Sequence, residues 1–279
     1  MDLEISKPEI ISLRDFEMPP MVYKYRDWNN DSHKKIITQR EVYFAAPNQF
    51  EDELDCKNPT RWDLLTEEDI LNKFYRDSQY KNPQYTIEQH MEYAIYWSNN
   101  TQVRNKDFIA QMQQESFNQY CERTGVLSLT EYPCETRMWE KYSSMYTGFC
   151  IGFDTKLMLP QICNSGGKVI YHDELPIIHP FPKHSYINQA LLQVFNKHNK
   201  WSFEKEYRAF KFRLNPFTKA ERISVIHPDA VKEIILGFKI SKENEDSLLS
   251  SIPSELNHVK IKKAFLQNDR VVVENYLKN

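Results

Sequence analysis

The sequence predicts an α+β fold, with a mixed or antiparallel sheet as the core and a helical insertion at about 63–123. Three observations lead there. Strand-like segments stand on both sides of one long helical stretch. They do not alternate with helices in the regular order that builds a parallel sheet. The chain has 279 residues, 41% of them hydrophobic, which suits one core with an insertion and is short for two full domains. The chain is therefore read as a single domain, 1–279.

The elements follow in order. Residues 1–20 read as an irregular arm ending in Pro19 and Pro20, and Met21–Arg26 as a short strand. Asn29, Asn30 and Asp31 precede a helix over 34–39. A second strand at 42–45 is stopped by Pro47, and 46–62 form a polar, acidic loop. Within 63–123, Thr66 with Asp69 and Thr86 with Gln89 have the capping-box spacing, in which side chain and backbone satisfy each other at a helix start. Phe108, Ile109, Met112, Phe117, Tyr120 and Cys121 recur on one helical face, whose plain reading is core packing. The β signal returns at 125–130, and a short helix carries 137–142. Residues 147–154 alternate, with Phe149, Ile151 and Phe153 on one face and Gly148, Cys150 and Gly152 on the other. A strand at 168–171 follows. Ile187, Ala190, Leu191, Val194, Phe195 and His198 mark an amphipathic helix. Strands are expected at 207–214, 223–226 and 231–236, a helix at 244–251, and closing strands at 259–264 and 270–276.

Composition removes several classes of function. The chain has only 6 glycines and no GxGxxG or GK[ST] pattern, so it has no Gly-rich phosphate loop. A dinucleotide, if bound, is held another way. No apolar run approaches the ~20 residues of a membrane span, and residues 1–16 do not resemble a signal peptide. Cys56, Cys121, Cys134, Cys150 and Cys163 are odd in number and lack CxxC spacing, which points to free thiols in a reducing cytoplasm. The 8 histidines show no HExxH and no zinc spacing, so no metal site and no tightly bound cofactor is assigned. A net charge of −3 gives no general attraction to nucleic acid and still allows a local basic groove.

Four stretches carry candidate chemistry. If 204–212 is extended, Glu204, Glu206, Arg208, Phe210 and Phe212 share one face, and the phenylalanines turn that face inward. Two carboxylates so placed, roughly 7 Å apart, repel by about 2 kcal/mol at an effective dielectric of about 20. Such a pair raises one pKa unless Arg208 neutralises it, and it could hold a ribose hydroxyl or act as general base. Glu206 is expected to carry the chemistry and Glu204 to be the more exposed. The same residues also fit a structural Glu–Arg pair. Lys24 and Arg26, alternating with Tyr23 and Tyr25, are either solvated strand residues or an anchor for phosphate or carboxylate. Phe50, Glu51, Asp52, Glu53, Leu54 and Asp55 form either an exposed turn capped by its own aspartates or a metal-binding loop. Trp139 and Tyr142, three apart on a helix, can build one aromatic wall, and Gly148 and Gly152 allow close backbone approach.

Together these stretches resemble the bacterial family called domain of unknown function 2971. The family's features are a YKYR-like opening, an FSSPxxFNDPFD-like loop, an MWxxYxxxxxGFCIxFD-like block and a KxxxWxxExEWR-like block. They stand here in the same order at 23–26, 43–55, 138–154 and 197–208. Glu51 and Glu53 replace the usual Asn and Pro of the loop, and Tyr207 replaces the usual Trp. The layout is also similar to an ADP-ribosyltransferase-like fold, although no Ser-Thr-Ser motif is present. That similarity implies that Lys24 or Arg26 anchors NAD as a substrate, that Trp139 or Tyr142 stacks on nicotinamide, and that Glu206 is the catalytic glutamate. The enzyme reading is then an NAD-consuming transferase, a toxin or anti-phage defence effector, acting on a nucleic-acid or protein acceptor. Two alternatives stand beside it. One is a metal-dependent nuclease or phosphoesterase using Asp52, Asp55 and Glu206. The other is a non-catalytic module that binds a ligand or partner through Tyr, Trp and Arg.

Overall fold

The computed structural model describes residues 18–163 and 165–276. The arm expected over 1–20 lies outside the described residues except for its last three. β1 (Met21–Arg26) leads to α1 (Asp31–Thr38), where the Asn30 side chain caps the helix by accepting from Ser32 N. β2 (Glu41–Tyr43) follows, and Ala45 forms an isolated antiparallel bridge to Val126. The expected insertion is helical: α2 (Glu67–Lys81), α3 (Ile87–Asn100) and α4 (Lys106–Arg123). Both capping boxes form, Thr66 with Asp69 and Thr86 with Gln89. The chain continues as β3 (Thr124–Thr130), α5 (Thr136–Tyr142), β4 (Phe149–Asp154), α6 (Thr155–Ile162), β5 (Ser165–Lys168) and β6 (Ile170–His172). It ends with α7 (Tyr186–Val194), β7 (Asn196–His198), β8 (Glu206–Phe212), β9 (Ile223–Val225), β10 (Val231–Leu236), α8 (Lys242–Ser250), β11 (Lys260–Gln267) and β12 (Arg270–Asn275).

Eight strands build one sheet in the order β12-β11-β10-β4-β1-β3-β8-β5. Its neighbours are antiparallel except for β10 and β11, which run parallel, so the sheet is mixed. β2 pairs with β9, and β6 with β7, outside it. Alternation along the central strands feeds two cores. Val22, Phe149, Ile151 and Phe153 pack on one face with Trp28, Ile37 and Leu127. Tyr23, Tyr25 and Cys150 pack on the other with Met138, Trp139 and Tyr146. Close approach at the glycines is real: a Cβ on Gly148 would lie 2.1 Å from Arg26 O, and one on Gly152 2.8 Å from Tyr23 Cε1. Among the described residues no helix is long and apolar enough to cross a membrane.

Three local expectations are corrected. The strand expected at 168–171 is two strands, because pairing passes from β8 at Lys168 to β7 at Ile170. The helix expected to reach His198 ends at Val194. Phe195 caps it through a bond from its N to Leu191 O, and the chain turns into β7. The extended run expected at 204–212 begins only at Glu206. Glu204 closes a 3-10 turn, Asn199–Glu204, and Lys205 takes a left-handed φ of 40°. Glu204 therefore does not share the face of β8, and Phe212 at the strand's far end is exposed.

Candidate functional site

The site forms where the middle of the sheet comes apart. β1 pairs with β4 along its whole length but shares only the register Tyr23↔Thr130 with β3. Beyond that pair, Ser128 O accepts a hydrogen bond from Lys24 Nζ at 2.5 Å. A cavity of about 210 Å³ opens here, with Lys24, Arg26, Tyr142, Lys197, Trp201 and Glu204 among its lining.

One wall is a buried ionic cluster. Arg208 on β8 is fully buried. Its Nε donates to Glu206 Oε1 at 2.7 Å, and its Nη2 to Glu206 Oε2 at 2.9 Å and Asp55 Oδ1 at 2.7 Å. Its Nη1 donates to Val194 O at 2.5 Å and meets Cys56 Sγ at 3.0 Å. Lys197 on β7 reaches Glu204 at 2.5 Å, Glu206 at 3.1 Å and Asp55 at 3.1 Å. Three carboxylates thus face two cations, a formal charge of −3 + 2 = −1. Buried ions persist when such mutual pairing offsets their lost hydration.

Glu204 and Glu206 are 4% and 2% exposed, too small a difference to separate their roles. Their partners separate them. Both oxygens of Glu206 are held by cations, and Oε2 by two of them. Burial opposes its charge, but Arg208 and Lys197 outweigh burial and hold the carboxyl well below the usual range. Glu204 Oε1 accepts from the Tyr142 hydroxyl at 2.6 Å, and Oε2 from Lys197. Burial and the neighbouring Glu206 charge push its carboxyl above the usual value. The two carboxyls are therefore shifted in opposite directions, Glu206 down and Glu204 up. Tyr142 stays a donor, because burial and Glu204 push its phenol up.

The other notable group is cationic. Lys24 and Arg26 lie two apart on β1 and both line the cavity. Among the described residues neither has an ion pair. Lys24 donates to Ser128 O, and Arg26 Nη1 to Tyr25 O at 3.3 Å. Burial, and after it the charge of Arg26, pushes Lys24 well below the usual lysine value. Burial brings Arg26 down to about 10. Glu206 and Glu204 act on Lys24 through space and oppose part of its shift, so the two cations offer an anion site whose charge these carboxylates partly offset.

The remaining candidates fall as follows. Tyr23 lines the cavity, and burial and Glu233 push its phenol up. Trp139 is fully buried in the second core, edge-on to Tyr25 at 5.1 Å with its Nε1 on Pro133 O, and is not part of the lining. Tyr142 is. The acidic loop is a turn with Glu51, Glu53 and Leu54 exposed and Asp52 accepting from Leu54 N, but Asp55 is buried in the ionic cluster and Asp52 also accepts from Trp201 Nε1 at 2.6 Å. Among the described residues no group of His, Cys, Asp and Glu side chains is arranged to hold a metal ion. Lys197, Trp201 and Ser128 are site residues that sequence reasoning missed. Lys197 and Trp201 lay inside the block 197–208 already singled out, but a helical pattern drawn through His198 hid the strand that aims Lys197 inward. The ring of Trp201 lies 5.3 Å from Lys197 Nζ and 4.9 Å from Lys141 Nζ, which places an aromatic surface among the cations.

No curated protein and no solved structure matches the chain. Residues 138–209 match the model of a family described as protein of unknown function (DUF2971). The matched stretch holds Tyr142, Lys197, Glu204, Glu206 and Arg208, the carboxylate wall with its two neutralising cations. Lys24, Arg26 and Asp55 come from outside it. Over this stretch, about a quarter of its length, the chain is similar to the DUF2971 family.

Proposed function

We propose that the cavity is the active site of an NAD-consuming, ADP-ribosyltransferase-like enzyme. The observation that carries this reading is the meeting, in one cavity, of Lys24 and Arg26, cations without an ion pair among the described residues, with the hydrogen-bonded pair Glu204 and Tyr142. Such a set suits a ligand that bears both phosphate and ribose hydroxyls. The cavity, at about 210 Å³, is below the ~300–1,000 Å³ of drug-sized pockets, so it takes the nicotinamide ribosyl half. The adenylate half extends past Trp201, Lys141 and Lys200. In the reaction the bond from the ribosyl carbon to nicotinamide breaks, and nicotinamide leaves with the bonding electrons. The acceptor's nucleophile bonds to that carbon and gives its proton to Glu204. The anionic wall stabilises the positive charge developing on the ribosyl centre. Glu206 and Arg208 act as positioning residues, since their polar atoms are engaged with each other and with Asp55 and Lys197.

The acceptor is a nucleic acid or a protein, and the role that follows is a toxin or anti-phage effector. A cytoplasmic location is supported by the five unpaired cysteines. The metal-dependent reading loses ground because Asp55 and Glu206 direct their oxygens at Lys197 and Arg208. A non-catalytic binding module is favoured by one observation, the complete engagement of Glu206. Calorimetric titration with NAD, combined with an assay for nicotinamide release, decides among these. The transferase reading expects saturable binding, and release that falls by about 100-fold or more in Glu204→Gln. Binding without release supports the module. A folded protein that neither binds NAD nor releases nicotinamide overturns the transferase reading.

A further inference from the structure

β12 stands at one margin of the eight-stranded sheet. Its inner side is fully used, antiparallel to β11 from Gln267↔Arg270 to Lys262↔Asn275. The connection is a two-residue hairpin with Asn268 and Asp269 at φ 49° and 60°, the turn geometry that suits twisted strands. Tyr276 N donates to Ile261 O, which extends the same ladder. Ladder bonds fall on every second residue of an antiparallel strand. Arg270, Val272, Glu274 and Tyr276 therefore turn their backbone groups toward β11, and Val271, Val273 and Asn275 turn theirs outward. Among the described residues no strand receives them. The edge has no proline and no bulge to deter pairing, and it carries three consecutive β-branched residues.

We propose that this edge pairs with the same edge of a second copy of the chain, giving a two-fold dimer whose sheet runs continuously through both molecules. Charge selects the register. An antiparallel pair centred on Val272 sets Val271 opposite the other copy's Val273. Both are outward-facing, so the pair is hydrogen-bonded, and Val272 meets its own counterpart at the closer, non-bonded spacing. The same register sets each Arg270 opposite the other copy's Glu274, twice over. Both side chains are exposed, and neither has an ion-pair partner among the described residues. Registers centred on Val271 or Val273 set a charge against a valine instead. Phe265 lies opposite Val272 on β11, shares its face and is 38% exposed, so the seam also gathers apolar surface.

The test is sedimentation of the full chain over a concentration series up to its solubility limit. The wild type associates to a dimer. Arg270→Glu and Glu274→Arg each weaken association about tenfold, because each sets like charges opposite one another at two places. An equimolar mixture of the two variants recovers wild-type association, because one copy then presents two glutamates to two arginines of the other. Unchanged melting of both variants, whose side chains are exposed, separates lost pairing from lost folding. A wild type that stays monomeric throughout overturns the proposal. A dimer indifferent to both variants overturns this edge as the interface, and a mixture no better than its components overturns the register.

Discussion

Glu204 and Glu206 are near neighbours in the chain with opposite electrostatic fates. Glu206 is fixed by Arg208 and Lys197, and removing its charge leaves those cations buried and short of a partner. Glu206→Gln should lower stability by about 3–5 kcal/mol, read from urea unfolding at neutral pH. Glu204→Gln should stay within ~1 kcal/mol of wild type, since it removes one charge from a cluster that is already net negative. Equal losses in the two variants would refute this division of roles. The pH dependence follows the same split. The carboxyl of Glu206 is lower in the fold than in the unfolded chain, so its contribution is complete above the ordinary carboxylate range and disappears as pH falls through the depressed value. The carboxyl of Glu204 is raised, so the fold holds its proton more tightly and loses that contribution as pH rises through the raised value. Glu204→Gln should therefore flatten the stability curve just above the ordinary Glu value of about 4.3 and leave the acid limb in place. Urea midpoints measured across that range check it.

At the level of elements, the close contact of β1 with the turn before β4 sets where the cations point. Gly148 packs against Arg26 O, so Gly148→Ala should cost about 3 kcal/mol or more and shift the end of β1 that carries Arg26. Thermal unfolding measures the loss, and a variant as stable as wild type would show that the contact relaxes easily. Elements with local signals were legible in the sequence. The capping boxes gave the starts of α2 and α3, and the alternation of Phe149, Ile151 and Phe153 gave β4. Legibility failed from Phe195 to Lys205. The helical pattern runs on to His198, but the backbone becomes β7, then a 3-10 turn and a left-handed residue at Lys205. The cause is tertiary: pairing with β6 and the reach of Lys197 to three carboxylates override local periodicity. The site was half legible for the same reason. Charged residues close in sequence could be grouped by spacing. The bond from Arg208 to Asp55 spans 153 positions, and no local pattern reports it.

For the whole molecule, the sparse pairing of β1 with β3 is where Lys24 and Arg26 sit without an ion pair among the described residues. Lys24→Gln and Arg26→Gln should leave melting unchanged or raise it, because each removes a cation that lacks an ion pair; under the proposed function, binding of NAD then weakens at least about tenfold. Calorimetry beside thermal unfolding checks both halves, and a variant that melts lower yet binds normally would show these cations to be structural. The bridge between Ala45 and Val126 has a different consequence, for cutting and rejoining the chain. It closes the long excursion that contains α2, α3 and α4, so the strands before and after that excursion are fastened to each other independently of it. Arg222 on Phe44 O adds a fastener between the same two parts. The turn between α2 and α3 is mostly exposed. A protease nick there should yield two fragments that migrate as a single particle until denaturant is added, and halves expressed separately with that break point should find each other.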